Sequence, residues 1–258
     1  YWNQDAIHWN KLVVKVIANP QSALDALRTG QVQLMGADAT IIDAAVADGM
    51  KLTGVESNVQ GLNFLYKDGT AVPELGDVRV RQALNYAIDR VALAQVLGAG
   101  KGRPVSSEFL PGGDAYDASL ENYYPYDVTK ARALLAAAGY ADGFEVTILS
   151  LPLGGLDTLA QAVASYWEAI GVTAIVDNKA TAPEFIGGTF SGEYAVNVAG
   201  LGVTTPILNL WKCCIMPGSF WNRDASAPPE LQALIDQISM TDGDDIAPLA
   251  KQVNQYLT

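Results

Sequence analysis

Basic residues are scarce in this chain of 258 residues, since 16 Lys and Arg stand against 28 Asp and Glu, giving a formal net charge of −12. Proteins that bind nucleic acid need a cationic stripe to neutralise phosphates, and a chain this acidic does not provide one. The charge balance therefore argues against a nucleic-acid partner. An acidic surface is compatible with cationic or zwitterionic ligands, but the charge does not show which ligand is bound.

Histidine and cysteine, the usual carriers of catalytic or metal chemistry, are almost absent. His8 is the single histidine, so a Ser-His-Asp hydrolase would depend on one position in a polar stretch, and a surface imidazole is the simpler interpretation. Cys213 and Cys214 are adjacent, which is poor geometry for an ordinary disulfide and too few ligands for zinc. Two interpretations of these cysteines stay open, a disulfide between the adjacent residues and simple packing of the two side chains. We expect no metal site and no cofactor.

Long apolar runs are also missing. No stretch of about 18 apolar residues occurs, so we expect no direct membrane insertion. Half of the residues are nevertheless hydrophobic and can build a sizeable core in one large or two modest domains. The chain starts at Tyr1 without an initiator Met or the basic and apolar regions of a signal sequence, which leads us to expect processing or truncation.

Motifs for phosphate or calcium chemistry are incomplete. Residues 98–102, Gly-Ala-Gly-Lys-Gly, are followed by Arg-Pro where a helix should begin, so we interpret them as a flexible loop. Residues 242–245, Asp-Gly-Asp-Asp, lack the later ligands of a calcium loop, and Asp244 as a helix cap is the simpler interpretation. None of the groupings that an enzyme needs stands out, so the sequence favours a binding protein.

Strands and helices alternate along the first part of the chain. The hydrophobic periodicity predicts helices over residues 21–29 and 41–48, each followed by a glycine that can end it. The turn formers of residues 67–76 mark the best boundary between two units. Before this boundary the sequence predicts extended segments over residues 11–17, 32–35, 51–56 and 61–66.

A second α/β unit follows this boundary. Its predicted helices are 77–97 as one helix or a pair, 128–138, 157–170, 181–185, 229–240 and 244–256, and its predicted strands are 144–149, 172–177 and 194–199. Two long irregular stretches, 98–124 and 200–224, hold aromatic residues, which favours a functional role. Trp167 fits a helix core face, whereas Trp211, Phe220 and Trp221 lack periodicity and are equally compatible with a pocket and with ordinary packing.

Three segments carry more than a helix or strand signal. Residues 77–90, DVRVRQALNYAIDR, combine a possible N-cap at Asp77 with apolar residues at helical spacing. The other two are ALDALRTGQV at 23–32 and YDVTKARALLAAAGY at 126–140 with DGFEVT at 142–147. Together they closely resemble, in the family's own order, the signatures of extracytoplasmic solute-binding protein family 5 of ABC importers, the oligopeptide-, dipeptide- and nickel-binding type.

The resemblance implies an α/β fold like that of the type II periplasmic binding proteins, with two α/β lobes and mixed sheets. It implies that residues 1–72 are part of lobe I and lead into the hinge. Residues 73–258 would be lobe II, with the C-terminal return segment missing. We therefore expect a C-terminal fragment that holds most of the C-terminal lobe and part of lobe one.

The resemblance also implies a function. Family members capture a small solute, peptide-like or other, in an interlobe cleft by hinge closure and deliver it to the permease subunits of an ABC importer, without chemical change. Such a protein is not an enzyme, and it works in the periplasm or as an extracytoplasmic lipoprotein, with a signal sequence that this fragment lacks. The alternative is a solute-sensing regulatory domain of the same fold fused to a transcription regulator.

The resemblance places the candidate ligand-binding residues in three parts of the chain. Peptide-binding relatives carry an Asp in the segment corresponding to residues 199–206, where it pairs with the ligand's amino group, but this segment contains no acid. Since a buried ammonium without a carboxylate is costly, we expect another solute class or the use of Glu108 instead. The candidates are Asn63 and Tyr66 near the hinge, Ser107, Glu108 and Phe109 in the first irregular stretch, and Leu201, Trp211, Trp221 and Asn222 in the second.

Overall fold

The computed structural model of the protein divides into two compact units, Tyr1–Gly54 and Val55–Thr258. It describes residues 8–37, 40–54, 58–98, 100–202, 215–224, 227–241 and 243–258. The predicted division into residues 1–72 and 73–258 concerns the lobes of the whole fold, and it stays a prediction.

The first unit contains two short helices, as predicted. Helix α1, Pro20–Arg28, begins with an Asn19 side chain that accepts a hydrogen bond from the Ser22 amide at 2.9 Å, and Pro20 occupies the first turn, where its missing N–H costs nothing. Helix α2 is Ile42–Ala47. The Arg28 guanidinium contacts the Asp48 carboxylate at 2.6 Å and so links the ends of the two helices, although an exposed ion pair of this kind contributes little stability.

The strands predicted for this unit at 11–17, 32–35 and 51–56 are wrong wherever residues 8–37 and 40–54 are described, because no strand occurs there. Val14 and Val16 were expected to lie in a sheet, yet they are 80% and 95% exposed. A strand is stabilised by hydrogen bonds to a neighbouring strand. The described part of this unit contains no neighbouring strand, so the apolar pattern alone does not lead to strand pairing.

The second unit is built on a mixed four-stranded sheet in the order β1-β4-β2-β3. Strand β2 runs parallel to β3 and to β4, whereas β1 runs antiparallel to β4, with Asn63 opposite Asn197. Parallel neighbours require crossover connections, and helices provide them here. The strands are β1 Asn58–Phe64, β2 Glu145–Ser150, β3 Thr173–Asn178 and β4 Val196–Gly202.

One face of this sheet carries the main core. Alternate residues of the strands, such as Ile148 and Val198, point toward a layer of helices and are fully buried there. Trp167 is also fully buried and donates its indole N–H to the Leu84 carbonyl at 3.1 Å, which satisfies the polar end of a large apolar side chain. The helices on this side are α3 Val78–Tyr86, α4 Arg90–Leu97, α5 Val128–Ala137 and α6 Leu156–Glu168.

The polar residues of the 77–90 segment hold α3 and α4 in place. Asp77 caps α3 by accepting from the Arg79 amide at 2.8 Å, as predicted. Arg81 donates to the Leu75 carbonyl at 2.7 Å and so fixes the preceding turn. Arg90 donates to the Asn85 side chain at 2.6 Å, and burial lowers the pKa of its guanidinium to about 10. These polar side chains of the segment therefore fix the positions of the two helices.

The opposite face of the sheet is covered by helix α7, Ala182–Ser191. Thr181 and Glu184 form a reciprocal capping box at its start. The helix was predicted to end near residue 185, and it continues to Ser191. A smaller core cluster under this helix contains Leu149, Phe185, Tyr194 and Ala199.

The C-terminal helices form a separate core cluster with the first irregular stretch. Helix α8 is Pro229–Ser239 and helix α9 is Ile246–Leu257, the latter following a short 3-10 turn at Gly243–Asp245. The predicted cap Asp244 lies in this turn, and its side chain is outside the described residues. Ile215 and Phe109 pack between the two helices, so residues far apart in the sequence share one core.

Candidate ligand-binding site

The carboxyl ends of the parallel strands form one edge of the sheet, the position where α/β proteins bind ligands. Ser150 ends β2 at this edge, and its hydroxyl is buried without a hydrogen-bond partner among the described residues. The following loop is held by Gln60, whose amide donates to the Gly154 carbonyl at 3.0 Å. Helix α6 then starts at the N-cap Gly155 without a side-chain cap. At this edge, the first backbone amides of α6 therefore have no side-chain cap.

Leu201, one of the predicted site residues, lies at this same edge. It belongs to β4 and pairs with Val59 of β1. Its side chain is outside the described residues, as are Trp211, Cys213 and Cys214. The predicted roles of Leu201 and Trp211 therefore stay predictions.

Asn63 belongs to a buried chain of polar groups on the α7 face of the sheet. Its amide donates to the Asn197 side chain at 3.0 Å, and Asn197 in turn donates to the Thr189 hydroxyl at 3.2 Å. Thr189 donates to the Phe185 carbonyl at 3.0 Å. Asn197 and Thr189 are fully buried, so these bonds satisfy groups that would otherwise destabilise the interior. Asn63 is half-buried at the open end of this chain.

The carboxyl end of β1, close to Asn63, leads into a cluster of charges around Lys67. The Lys67 ammonium contacts the Asn222 side-chain oxygen at 2.9 Å, the Phe64 carbonyl at 3.2 Å and the Asp224 carboxylate at 3.1 Å. The Asp224 carboxylate also accepts from the backbone amides of Lys67 at 2.6 Å and Asp68 at 3.2 Å. Burial lowers the pKa of the Lys67 ammonium, and the Asp224 carboxylate opposes this shift.

Two predicted site residues adjoin this cluster, and the pKa of a third, Glu108, responds to the Lys67 charge. Tyr66 precedes Lys67 and is half-buried, and Asn222 is buried against it. Burial raises the pKa of the Glu108 carboxyl above its ordinary value, while its own backbone N–H and the Lys67 ammonium act in the opposite direction. The surroundings of Glu108 thus disfavour the charged form of its carboxyl group.

The neighbours of Glu108 in the sequence are engaged in packing. Ser107 is buried and donates to the Asn254 side chain of α9 at 2.7 Å. Phe109 is buried in the C-terminal core cluster. Both residues anchor the first irregular stretch, and their predicted ligand contacts stay predictions.

Trp221 stacks with other aromatic residues over the α7 face of the sheet. Its ring is 4.4 Å from that of Phe220 in an edge-to-face arrangement, and Phe220 is 5.5 Å from Phe190 of α7. The Arg223 guanidinium lies 4.5 Å from the Phe190 ring centroid, a favourable cation–π distance. This half-buried group gives the surface both apolar area and positive charge.

Two groups of the described candidate residues lie at different places along β4. Leu65 donates to the Ala195 carbonyl and accepts from the Arg223 amide, which places residues 64–68 and 222–224 beside the amino end of β4. Leu201 is six residues further along, roughly 20 Å at the rise of a strand. Sequence reasoning missed Lys67 and Asp224, because they sit in turn-like segments and their link spans 157 residues.

Comparison with known proteins identifies the family of the chain. Residues 1–206 match the family described as "Bacterial extracellular solute-binding proteins, family 5 Middle". The chain belongs to this family. The resemblance stated from the sequence signatures is therefore confirmed.

Relatives of this family 5 chain include characterised binding proteins. Heme-binding protein A of Haemophilus influenzae is 30% identical over 174 residues, which are 63% of this chain and 30% of the relative. Glutathione-binding protein GsiB of Salmonella choleraesuis is 33% identical over 150 residues, 58% of this chain and 29% of the relative. The matched regions span less than a third of each relative's length. These relatives are named as binding proteins and lend no support to the regulator alternative.

Solved structures confirm the fold of the family 5 chain. The dipeptide binding protein from Pseudoalteromonas sp. SM9913, in complex with Met-Leu, superposes with a TM-score of 0.77 at 20% identity, covering 97% of this chain and 52% of that protein. The α/β fold of the type II periplasmic binding proteins, with its mixed sheet, is therefore confirmed.

Two further observations describe the family 5 chain. In the described residues no helix is both long and apolar enough to cross a bilayer. Within the same residues, no three His, Cys, Asp or Glu side chains come together in a way that could hold a metal ion.

Proposed function

We propose that this chain is part of the substrate-binding component of an ABC importer, which captures a small solute between two lobes by hinge closure. Membership of solute-binding family 5 is the observation that carries the proposal. A ligand shifts the equilibrium toward the closed form only by its greater affinity for that form. The solute is held by noncovalent contacts and is released unchanged, so no catalytic residue is involved.

The proposed partners follow from this role. The closed, loaded protein delivers its solute to the permease subunits of the importer in the membrane, and it works outside the cytoplasm, in the periplasm or as a lipoprotein. In this proposal residues 1–72 belong to lobe I and residues 73–258 to lobe II. The nine candidate residues named from the sequence contribute to the ligand-binding surface.

The ligand is proposed to be a peptide-like or another small solute. The relatives described above are named for heme and glutathione, and a solved relative holds the dipeptide Met-Leu, so the family accommodates chemically different ligands. Residues 199–206 contain no acid for a peptide amino terminus. Glu108 is the candidate substitute, but burial raises the pKa of its carboxyl and so disfavours the charged form that would pair with an ammonium. We therefore favour a solute without a free peptide amino terminus.

Thermal-shift screening of the natural full-length protein tests the proposal. The panel contains ordinary dipeptides to pentapeptides, glutathione, heme and amino-terminally acetylated dipeptides, and a bound ligand raises the melting temperature with its concentration. We expect stabilisation by at least one member, with acetylated peptides no weaker than free ones. Stabilisation by free peptides that survives Glu108→Gln would contradict the preferred ligand class. Stabilisation by no small solute in a wider panel would contradict the binding function.

A further inference from the structure

Arg223 is held in one orientation by contacts of its backbone and of its side chain. Its amide donates to the Leu65 carbonyl at 2.7 Å, which ties the residue to the exit of β1. Its Nη1 group donates to the Gly218 carbonyl and, at 3.3 Å, to the Ser219 carbonyl. The guanidinium lies 4.5 Å from the ring centroid of Phe190. A side chain fixed before a ligand arrives loses less entropy when it binds that ligand.

The loop that carries Arg223 is closed by its own backbone. The Gly218 amide donates to the Asp224 carbonyl at 3.1 Å, and the Ser219 amide donates to the Met216 carbonyl at 3.0 Å. The Arg223 side chain folds back over the start of this loop, where it finds the two carbonyl acceptors of Nη1. The loop therefore holds the guanidinium without using all of its N–H groups.

The other edge of the guanidinium has no acceptor among the described residues. The Nη2 group bonds to none of them and is open to solvent, since only Nε of this side chain is both buried and unpaired. The Ser219 hydroxyl, in the same loop, is also buried without a partner. No Asp or Glu of the described residues forms an ion pair with Arg223. Buried donors are normally paired, so this edge calls for an acceptor from outside the chain.

The neighbouring cation Lys67 differs in this respect. Its ammonium has three N–H groups and three described acceptors, the Phe64 carbonyl, the Asn222 side chain and the Asp224 carboxylate. Lys67 therefore has no donor left for a ligand. Arg223 keeps free donors and an uncompensated charge in a chain with 28 acidic and 16 basic residues, and an anionic acceptor gains more from such a group than water does.

We propose that Arg223 is a ligand-binding residue that receives a carboxylate group of the solute, while an apolar part of the same solute lies against Phe220 and Trp221. A carboxylate oxygen accepts from the exposed Nη2 group, and Nε lies on the same edge of the guanidinium fork. Both rings belong to the half-buried aromatic group beside the guanidinium. The proposal rests on the proposed function and narrows its ligand to an acidic solute with an apolar group.

Calorimetric titration of the natural full-length protein with matched pairs of solutes tests the proposal. Each pair joins an apolar carboxylate to its neutral amide: N-acetylphenylalanine with N-acetylphenylalaninamide, indole-3-acetate with indole-3-acetamide, and acetylated dipeptides with their carboxyl-terminal amides. We expect the carboxylate of at least one pair to bind about tenfold or more tightly than its amide, because the amide loses the charge-assisted hydrogen bond to Arg223. A solute that stabilises the protein in the thermal-shift panel is compared with its uncharged analogue in the same way.

Variants assign the preference to Arg223. Arg223→Gln should lower the affinity for the carboxylate to about that for the amide, and it should leave the affinity for the amide unchanged. Arg223→Lys keeps the charge without the planar fork and should retain part of the preference. Arg132→Gln is the matched control, because Arg132 is exposed and donates to the Ala169 carbonyl at the end of α6, and it should change neither affinity. The melting temperature without ligand shows whether each variant is folded.

Three results would overturn the proposal. One is equal binding of carboxylates and amides by the unmodified protein, which leaves the binding function intact and needs no variant. Another is a preference for carboxylates that persists in folded Arg223→Gln. The third is a bound solute that has no carboxylate. Binding of no solute at all in the pairs and in the wider panel would contradict the proposed function, and this proposal with it.

Discussion

Replacing Asp224 by alanine is expected to destabilise the second unit strongly. The substitution removes the acceptor of two backbone amides and the carboxylate partner of the Lys67 ammonium. Each donor left unsatisfied in the interior costs about 1–3 kcal/mol, and breaking a buried ion pair costs about 3–5 kcal/mol. The Lys67 side chain is about one-third exposed and keeps the Asn222 and Phe64 acceptors. We therefore expect a net loss of about 3 kcal/mol.

Urea unfolding followed by far-ultraviolet circular dichroism measures this loss. Asp236→Ala is the control, because Asp236 is exposed and accepts only from Gln232 of the same helix in the described contacts, and it should change stability by less than about 0.5 kcal/mol. In the double variant with Lys67→Met the losses should be non-additive by about 1–2 kcal/mol. A cost for Asp224→Ala below about 1 kcal/mol, or additive losses, would refute the reasoning about the contacts between Asp224 and Lys67.

Three further predictions test separate parts of the fold. Burial raises the pKa of Glu108 in the folded state above its ordinary value of 4.5, so the free energy of unfolding should fall as pH rises from 4.5 through the raised pKa. Chemical denaturation at a series of pH values should show this decrease. Glu108→Gln should remove the part of the pH dependence that Glu108 causes. Gly143→Ala should cost about 3 kcal/mol, since its φ is 77° and a Cβ would lie 1.7 Å from the Gly171 carbonyl oxygen. The control Gly112→Ala, where φ is 91° and a Cβ would meet open space, should cost about 1 kcal/mol. Equal losses of stability in thermal melts of the two variants would contradict the clash at Gly143. Asp127→Ala removes the N-cap of α5 and should lower stability by about 1 kcal/mol, so an unchanged urea midpoint would count against that cap.

Local signals predicted the helices well. Asp77 and Asp89 each accept from a backbone amide at the start of a helix, and a side-chain cap of this kind is visible in the sequence. Asp89 also explains why the predicted segment 77–97 is a pair of helices rather than one. Gly30 and Gly139, which were predicted to end two helices, have φ values of 73° and 93°. Glycine adopts such positive φ values without strain.

Helix α7 shows where a local signal misled the prediction. Gly187 and Gly188 favour a break, yet the helix continues through them to Ser191. A Cβ on Gly188 would lie 3.1 Å from the Leu149 side chain and 3.3 Å from that of Tyr194. Glycine here permits a close approach of helix to sheet, which only the packed structure reveals.

The candidate site could be predicted only in part. Aromatic residues in a non-periodic stretch drew attention to Trp221 and Phe220, and the structure places both rings on the sheet. The residues that follow them, Asn222 and Asp224, are bonded to Lys67, which is distant in the sequence, and hydrophobic periodicity gives no information about such a contact. The strands expected at 11–17 and 32–35 failed for a related reason, because pairing depends on a partner and not on the apolar pattern alone.

The order of strands also has a consequence for synthesis of the chain. Strand β4 is the last of the four in sequence and lies between β1 and β2, so β1 lacks the neighbour that the described strands give it until residues 196–202 have left the ribosome. The sheet cannot assemble progressively from its amino-terminal strand, and contacts between distant segments slow assembly. The nascent polypeptide therefore keeps β1 without this neighbour while the residues between Phe64 and Val196 are translated, a period in which chaperones or an export machinery can engage it.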